Sequence, residues 1–298
     1  MKQRFYASIA LLLVAVLTAA LLCGCHSEPE NSSDETSSVG SVPTTVSDSN
    51  SMPAITPDES SGDTTQNGTN GSVAGKEHTP ASFTACSINT SQLGTFRYWL
   101  YTPSDPTENM PLIVYLHGGS GKGDDLNLIT AVDGFPQYLQ SGQLGDVRAY
   151  VVIPQLPSTQ KAWVNAAESI SELIDHTVSA YKINKNNISL TGHSMGGTGT
   201  WNLACTYPSL FARIAPLSGS IRNTPDIIGN LKNIPVRAFV GSADTIVPPE
   251  SSKEVIAAVK AAGGSAEITV FDGADHFSVP SLAFLDTNID LIGWLIGG

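Results

Sequence analysis

The chain runs to 298 residues with a formal net charge of −12, and 12 of its 15 Lys and Arg but only 18 of its 27 Asp and Glu lie from Ala81 onward. No cluster or stripe of basic residues interrupts the acidic balance, and a surface that follows a phosphate backbone needs one, so nucleic acid is excluded as a partner. The length allows one large domain or two ordinary ones at the usual ~100–200 residues each.

Lys2 and Arg4 precede an apolar run over residues 7–22, shorter than the ~20 residues of a comfortable membrane span. This predicts an export signal over residues 1–24. The run ends Leu22-Cys23-Gly24-Cys25, which resembles the lipobox of bacterial lipoproteins, although Cys23 stands where Ala or Ser is usual. The resemblance implies a lipid on Cys25 and attachment to the outer side of the cell membrane, with plain secretion as the alternative. Residues 25–80 are Ser, Thr, Asp, Glu, Asn, Gly and Pro with scarcely an aromatic, too little apolar surface to offset the entropy of ordering them. They are expected to form a disordered tether, or a glycan-decorated stalk of the same composition. The folded part is then 81–298, one catalytic domain that retains Cys86 and Cys205. The two thiols could pair, but Cys205 falls in an apolar helical stretch, where a buried free thiol is the blander state.

From residue 81 strand-like and helix-like segments alternate. Residues 95–102 (TFRYWLYT) alternate like a strand near a sheet edge, and 112–116 (LIVYL) and 150–153 (YVVI) are short β-rich runs. Residues 169–181 carry Ile170, Leu173, Ile174 and Val178 at helical spacing. A strand at 188–190 leads into a helix beginning at about Met195. Beyond it come a strand at 236–240, a helix at 251–262 opened by Pro249 and closed by Gly263-Gly264, a strand at 266–271 and a helix at 281–296. The pattern predicts an α/β fold with a mostly parallel sheet and helices on both faces. There is no internal repeat.

Ser194 sits in Gly192-His193-Ser194-Met195-Gly196 between a strand and a helix, the context of a nucleophile elbow. Small residues are needed there because the turn is tight and the serine strained. The Met195 N–H at the head of the helix is expected to donate to a developing oxyanion. Leu116-His117-Gly118-Gly119-Ser120 closes an earlier strand in the manner of an oxyanion loop. Gly119 is the expected second donor, with Gly118 and Ser120 as alternatives. A serine hydroxyl needs a base, and the base an orienting acid, met along such chains in the order Ser, Asp or Glu, His. Asp244 lies in the loop after 236–240 and His276 in the loop after 266–271, and they fill those roles. Asp272 and Asp275, too close in sequence to the histidine, read as turn formers.

The stretches PLIVYLHGGSGKGDD, VVIPQLP with AWVN, ISLTGHSMGGTGTWNLACTYPSLFARIAPLSG, VRAFVGSADTIVPPESS and GADHF resemble α/β-hydrolase esterases grouped with predicted peptidases, polyhydroxybutyrate depolymerases and feruloyl esterases. The resemblance implies a serine triad of Ser194, Asp244 and His276, no cofactor, and a small-molecule or polymer-linked ester as substrate. A serine peptidase would share every residue named, and a non-catalytic surface binding module is the further alternative. The short segment from Ser218 to Pro235 leaves no room for a large lid domain. Trp163 and His193 are candidates for the wall of the substrate cleft, with core packing as the alternative for each. Asp124 and Asp125 are expected to cap the helix that follows them, and a metal site built on Asp124, Asp125 and Asp133 finds no converging ligands in the sequence.

Overall fold

A computed structural model describes residues 78–298. The expected signal over 1–24, the lipidation site Cys25 and the tether up to residue 77 lie outside the described residues. Of the tether's last three residues, His78 donates or accepts at 2.7 Å with Asp105 Oδ2, and the Thr79 N–H donates to Asp105 Oδ1.

Eight strands form one sheet in the order β1-β2-β4-β3-β5-β6-β7-β8. A hairpin of β1 (Ser82–Thr90) and β2 (Gly94–Thr102) pairs antiparallel onto β4 (Tyr150–Pro154). From β4 through β3 (Leu112–Leu116), β5 (Ile188–His193), β6 (Arg213–Leu217), β7 (Val236–Gly241) and β8 (Ala266–Phe271) every neighbour is parallel. Strands β3, β4 and β5 are buried at every residue, as continuous apolar runs must be when both faces of a parallel sheet are covered.

Along β3 the side chains divide between two cores, as the two-residue period requires. Leu112, Val114 and Leu116 pack with Trp163, Leu173 and Trp201, whereas Ile113 and Tyr115 pack with Phe135, Phe284 and Leu291. The first core is covered by α3 (Ala167–Tyr181), α4 (Met195–Thr206), α5 (Pro225–Leu231) and α6 (Glu250–Ala261); the second by α1 (Asn127–Val132), α2 (Gly134–Gln140), α7 (Val279–Phe284) and α8 (Leu291–Ile296). Among the described residues no helix is long and apolar enough to cross a membrane.

Three expectations change. Strand β1 is an addition, its burial alternating weakly at the sheet edge. Strand β6 is also an addition; Pro216 obscures it because proline has no N–H for a ladder. The β6–β7 ladder pairs Ile214 with Val236 and Leu217 with Phe239, on either side of that proline. The single helix expected over 281–296 is two, α7 and α8. Between them the Asp286 carboxylate accepts the Asn288 N–H at 2.8 Å, and Asp290, at φ 45°, accepts the Gly293 N–H at 3.1 Å. These local side-chain bonds compete with the helical ladder and break it. Cys86 and Cys205 are half-buried free thiols.

Candidate active site

The C-terminal ends of the parallel strands converge on one edge of the sheet, where β5 turns abruptly into α4. Ser194 occupies that turn at φ 59°, ψ −118°, a conformation that costs a non-glycine residue about 1–3 kcal/mol. Its neighbours explain how it is held. A Cβ at Gly196 would lie 1.8 Å from the Leu116 carbonyl oxygen, and one at Gly192 would lie 2.5 Å from the same atom. Only glycine lets the elbow press this closely on the end of β3. The Ser194 N–H donates to Leu217 O at 3.0 Å and its carbonyl accepts the Thr198 N–H at 2.9 Å. Among the described residues nothing hydrogen-bonds Ser194 Oγ or the Met195 N–H. The latter heads a 12-residue helix, whose first amides concentrate partial positive charge.

Asp244 follows β7 and His276 follows β8, and their buried side chains meet. His276 Nδ1–H donates to Asp244 Oδ2 at 2.7 Å. The other carboxylate oxygen accepts the Ile246 N–H at 3.0 Å and the Val247 N–H at 2.8 Å. Burial opposes the charge on Asp244, but the Val247 N–H and the His276 ring outweigh it and its pKa lies below the usual carboxylate value. With Nδ1 carrying the proton, Nε2 of His276 is left with its lone pair, the form a general base requires. Ser218 is buried at the end of β6 with φ 43°, and its hydroxyl has no hydrogen-bond partner among the described residues.

His193 does not wall a cleft. It is 7% exposed, its Nε2–H donates to the His276 carbonyl at 2.9 Å, and the two rings lie 4.7 Å apart. Burial pushes its pKa down to about 4, so the ring is neutral at ordinary pH. The residue preceding the serine therefore supports the residue that would serve as base. Trp163 is not a cleft residue either. It is 1% exposed, donates through Nε1 to His117 O at 3.0 Å, and packs edge-on to the His117 ring at 4.8 Å.

The Gly118–Gly119 loop borders the elbow, since a Cβ at Gly118 would sit 3.6 Å from Ser194 Cβ. The three expected donors now separate. The Gly118 N–H is engaged by Asp133 Oδ2 at 2.7 Å, whereas the Gly119 and Ser120 amides have no partner among the described residues. Asp133 went unassigned in the sequence: nothing in a lone Asp before a glycine signals that it bonds a loop 15 positions back. Asp125 Oδ1 accepts the Asn127 N–H at 3.0 Å at the start of α1, and Asp275 Oδ1 accepts the Ser278 N–H at 2.9 Å. Asp275 makes the local turn expected of it, whereas the N-cap of α1 is Leu126 with no side-chain cap bond, so Asp124 and Asp125 do not cap that helix as expected, and Asp124 instead accepts from the Ser158 hydroxyl at 3.3 Å. Among the described residues no group of three or more His, Cys, Asp or Glu could hold a metal ion. Two apolar side chains stand in solvent beside the acid and base, Ile246 at 56% and Phe277 at 71% exposed, the latter edge-on to His276.

Residues 149–291 match the model of a family described as phospholipase/carboxylesterase. A Salmonella typhimurium protein provisionally named a carboxymethylenebutenolidase is 32% identical over 142 residues, 44% of this chain and 52% of that protein. A bifunctional acetylxylan esterase/xylanase of Neocallimastix patriciarum is 27% identical over 160 residues, 50% of this chain and 21% of that one. The chain thus spans about half the length of the first relative and a fifth of the second. Among solved structures, a thermostable esterase superposes with a TM-score of 0.60 at 26% identity, covering 72% of this chain and 62% of the other.

Proposed function

We propose that this chain, an α/β-hydrolase by its sheet and its kin, cleaves carboxylic esters through an acyl-enzyme on Ser194. The observation that carries the reading is the buried Asp244–His276 pair at 2.7 Å, its imidazole 4.7 Å from the ring of His193, the residue immediately before a serine in a strained elbow. In the proposed reaction His276 Nε2 takes the proton as Ser194 Oγ attacks the ester carbonyl. Asp244 keeps the imidazole in its tautomer and stabilises the imidazolium that forms. The Met195 and Gly119 amides receive the oxyanion. Collapse expels the alcohol with the proton from His276, and water activated by the same nitrogen then releases the acid.

Esters of feruloyl or acetyl type carried on polysaccharide are the proposed substrates. The acetylxylan esterase relationship supports the linkage, and the exposed Phe277 and Ile246 supply an apolar surface for an acyl or aryl group. Ser194→Ala is expected to lower turnover of p-nitrophenyl acetate by at least about 10⁴-fold and to abolish labelling by a fluorophosphonate probe. Hydrolysis by the variant at the parent rate would overturn the reading.

We also propose that the enzyme works outside the cell, held to the membrane by a lipid on Cys25. The basic Lys2 and Arg4, the apolar run and the Cys25 context support this. Palmitate fed to cells is expected to label the protein, and Cys25→Ala to release it from membranes; an unlabelled protein with unchanged retention contradicts it.

A further inference from the structure

We propose that Asp133 is a positioning residue that helps aim the Gly119 N–H at the reacting oxygen, by fixing from below the His117–Gly118 peptide unit, which adjoins the unit that carries that donor. The inference rests on the esterase reading. In a trans peptide the C=O and N–H point in opposite directions, so a unit bonded at one end has its other end aimed. The His117–Gly118 unit is held at both ends, its N–H by Asp133 Oδ2 at 2.7 Å and its C=O by Trp163 Nε1 at 3.0 Å. The Gly118–Gly119 unit is held through its C=O, which accepts from His117 Nδ1 at 2.6 Å and from the Gly121 N–H at 3.2 Å. His117 Nε2 accepts the Leu156 N–H at 3.0 Å, which leaves the ring proton on Nδ1, where Gly118 O needs it. With its carbonyl turned inward, the second unit presents the Gly119 N–H outward on the exposed side of the loop.

Asp133 is placed for this task rather than for capping. It stands at the N-cap of α2, where a carboxylate ordinarily accepts that helix's own amides, yet it makes no cap bond. Its second oxygen is instead fixed by the Tyr115 hydroxyl at 2.5 Å, itself buried on β3. Both oxygens are thus committed, in a site where burial raises the carboxyl's pKa despite the bonds from Tyr115 and Gly118. A buried carboxylate is a costly way to fill space, and here it ties β3, the α1–α2 joint and the loop into one unit.

The test measures kcat and KM on p-nitrophenyl acetate for Asp133→Ala, Asp133→Asn and Tyr115→Phe, with active sites counted by fluorophosphonate labelling. Asp133→Ala is expected to lower kcat per labelled site by about 10²-fold, the scale of one lost oxyanion donor, with KM within about twofold. Asp133→Asn, whose Oδ1 can still accept the Gly118 N–H while its amide donates to Tyr115, is expected to recover most of kcat. Tyr115→Phe, which opens no large cavity, is expected to lose about three- to tenfold and carries the test if Asp133→Ala does not fold. Unchanged kcat per labelled site in both Asp133→Ala and Tyr115→Phe overturns the inference, as does a rise in KM with kcat intact. If the parent protein hydrolyses no ester and takes no label, the esterase reading fails first.

Discussion

His193 shows how a side chain outside the chemistry sets the conditions under which the chemistry survives. Its pKa of about 4 in the fold against 6.5 in the unfolded chain means that the unfolded state binds the proton first as pH falls. The stabilisation is whole above pH 6.5 and is lost as pH drops towards 4, amounting to roughly 3 kcal/mol at most. Asp244, whose pKa is lowered, acts in the same sense at still lower pH. It contributes above the ordinary carboxylate value and loses that contribution as pH falls through its folded value. His193→Gln is expected to flatten the decline in urea stability between pH 6.5 and 4.5 while leaving the acid limb due to Asp244. A variant whose stability profile overlays the parent's would show that His193 is not the buried neutral group described. Asp133 is the contrasting case. Raised by burial, it favours folding most below the ordinary carboxylate pKa and loses that advantage as pH rises.

At the scale of elements, two glycines separate geometry from mere helix propensity. Gly196→Ala must move the Leu116 carbonyl that lies 1.8 Å from the new Cβ, so it is expected to destabilise the protein by several kcal/mol, about 4 or more, and to abolish activity. Gly229→Ala in α5, where a Cβ meets nothing within 4 Å, is expected to stabilise by up to about 1 kcal/mol. Thermal melts of the two variants decide both. The loop after β8 offers a third test. Phe277→Ala is expected to lower kcat/KM about five- to twentyfold for cinnamoyl or other aryl-acyl esters and less than twofold for acetate; equal losses on both would show that the ring supports His276 and not the substrate.

The elements that sequence reasoning located were those whose signal is local. The all-apolar LIVYL and YVVI runs had one structural solution, and the elbow is legible because steric demands dictate glycine at Gly192 and Gly196, whereas the Gly118–Gly119 loop is legible only by its motif, since a Cβ at either residue meets nothing closer than 3.6 Å. What escaped carried a weak local signal or depended on partners distant in the chain. β1 alternates only weakly at the sheet edge and is held in register by its hairpin partner β2, β6 is accepted despite Pro216 because its ladder with β7 skips that residue, and Asp133 meets Gly118 and Tyr115 only in the fold. Trp163 and His193 were visible as residues near the site, but whether an aromatic faces a cleft or a neighbour's carbonyl is a matter of three-dimensional packing.

Considered whole, the molecule draws its stability from one sheet with two cores and needs no covalent cross-link among the described residues. Cys86 and Cys205 are free, and burial raises the pKa of both thiols. Reducing agent is therefore expected to leave the melting temperature unchanged within about 1 °C; a fall of several degrees would reveal a pairing. The family match over residues 149–291 takes in Ser194, Asp244 and His276 but begins after the loop that is proposed to supply Gly119. The match thus covers all three residues of the proposed triad, while the proposed Gly119 donor lies in an earlier part of the chain.

The carbonyl of His276 is held by His193, 83 positions earlier, on a strand laid down in the middle of the sheet. A chain that emerges N-terminus first from a ribosome therefore exposes Ser194 long before it has His276. On the proposed mechanism the nascent protein is inert until its last strand has joined the edge of the sheet, so that acquisition of activity would report completion of folding. A burst of ester hydrolysis during refolding should then appear no earlier than the slowest phase seen by tryptophan fluorescence.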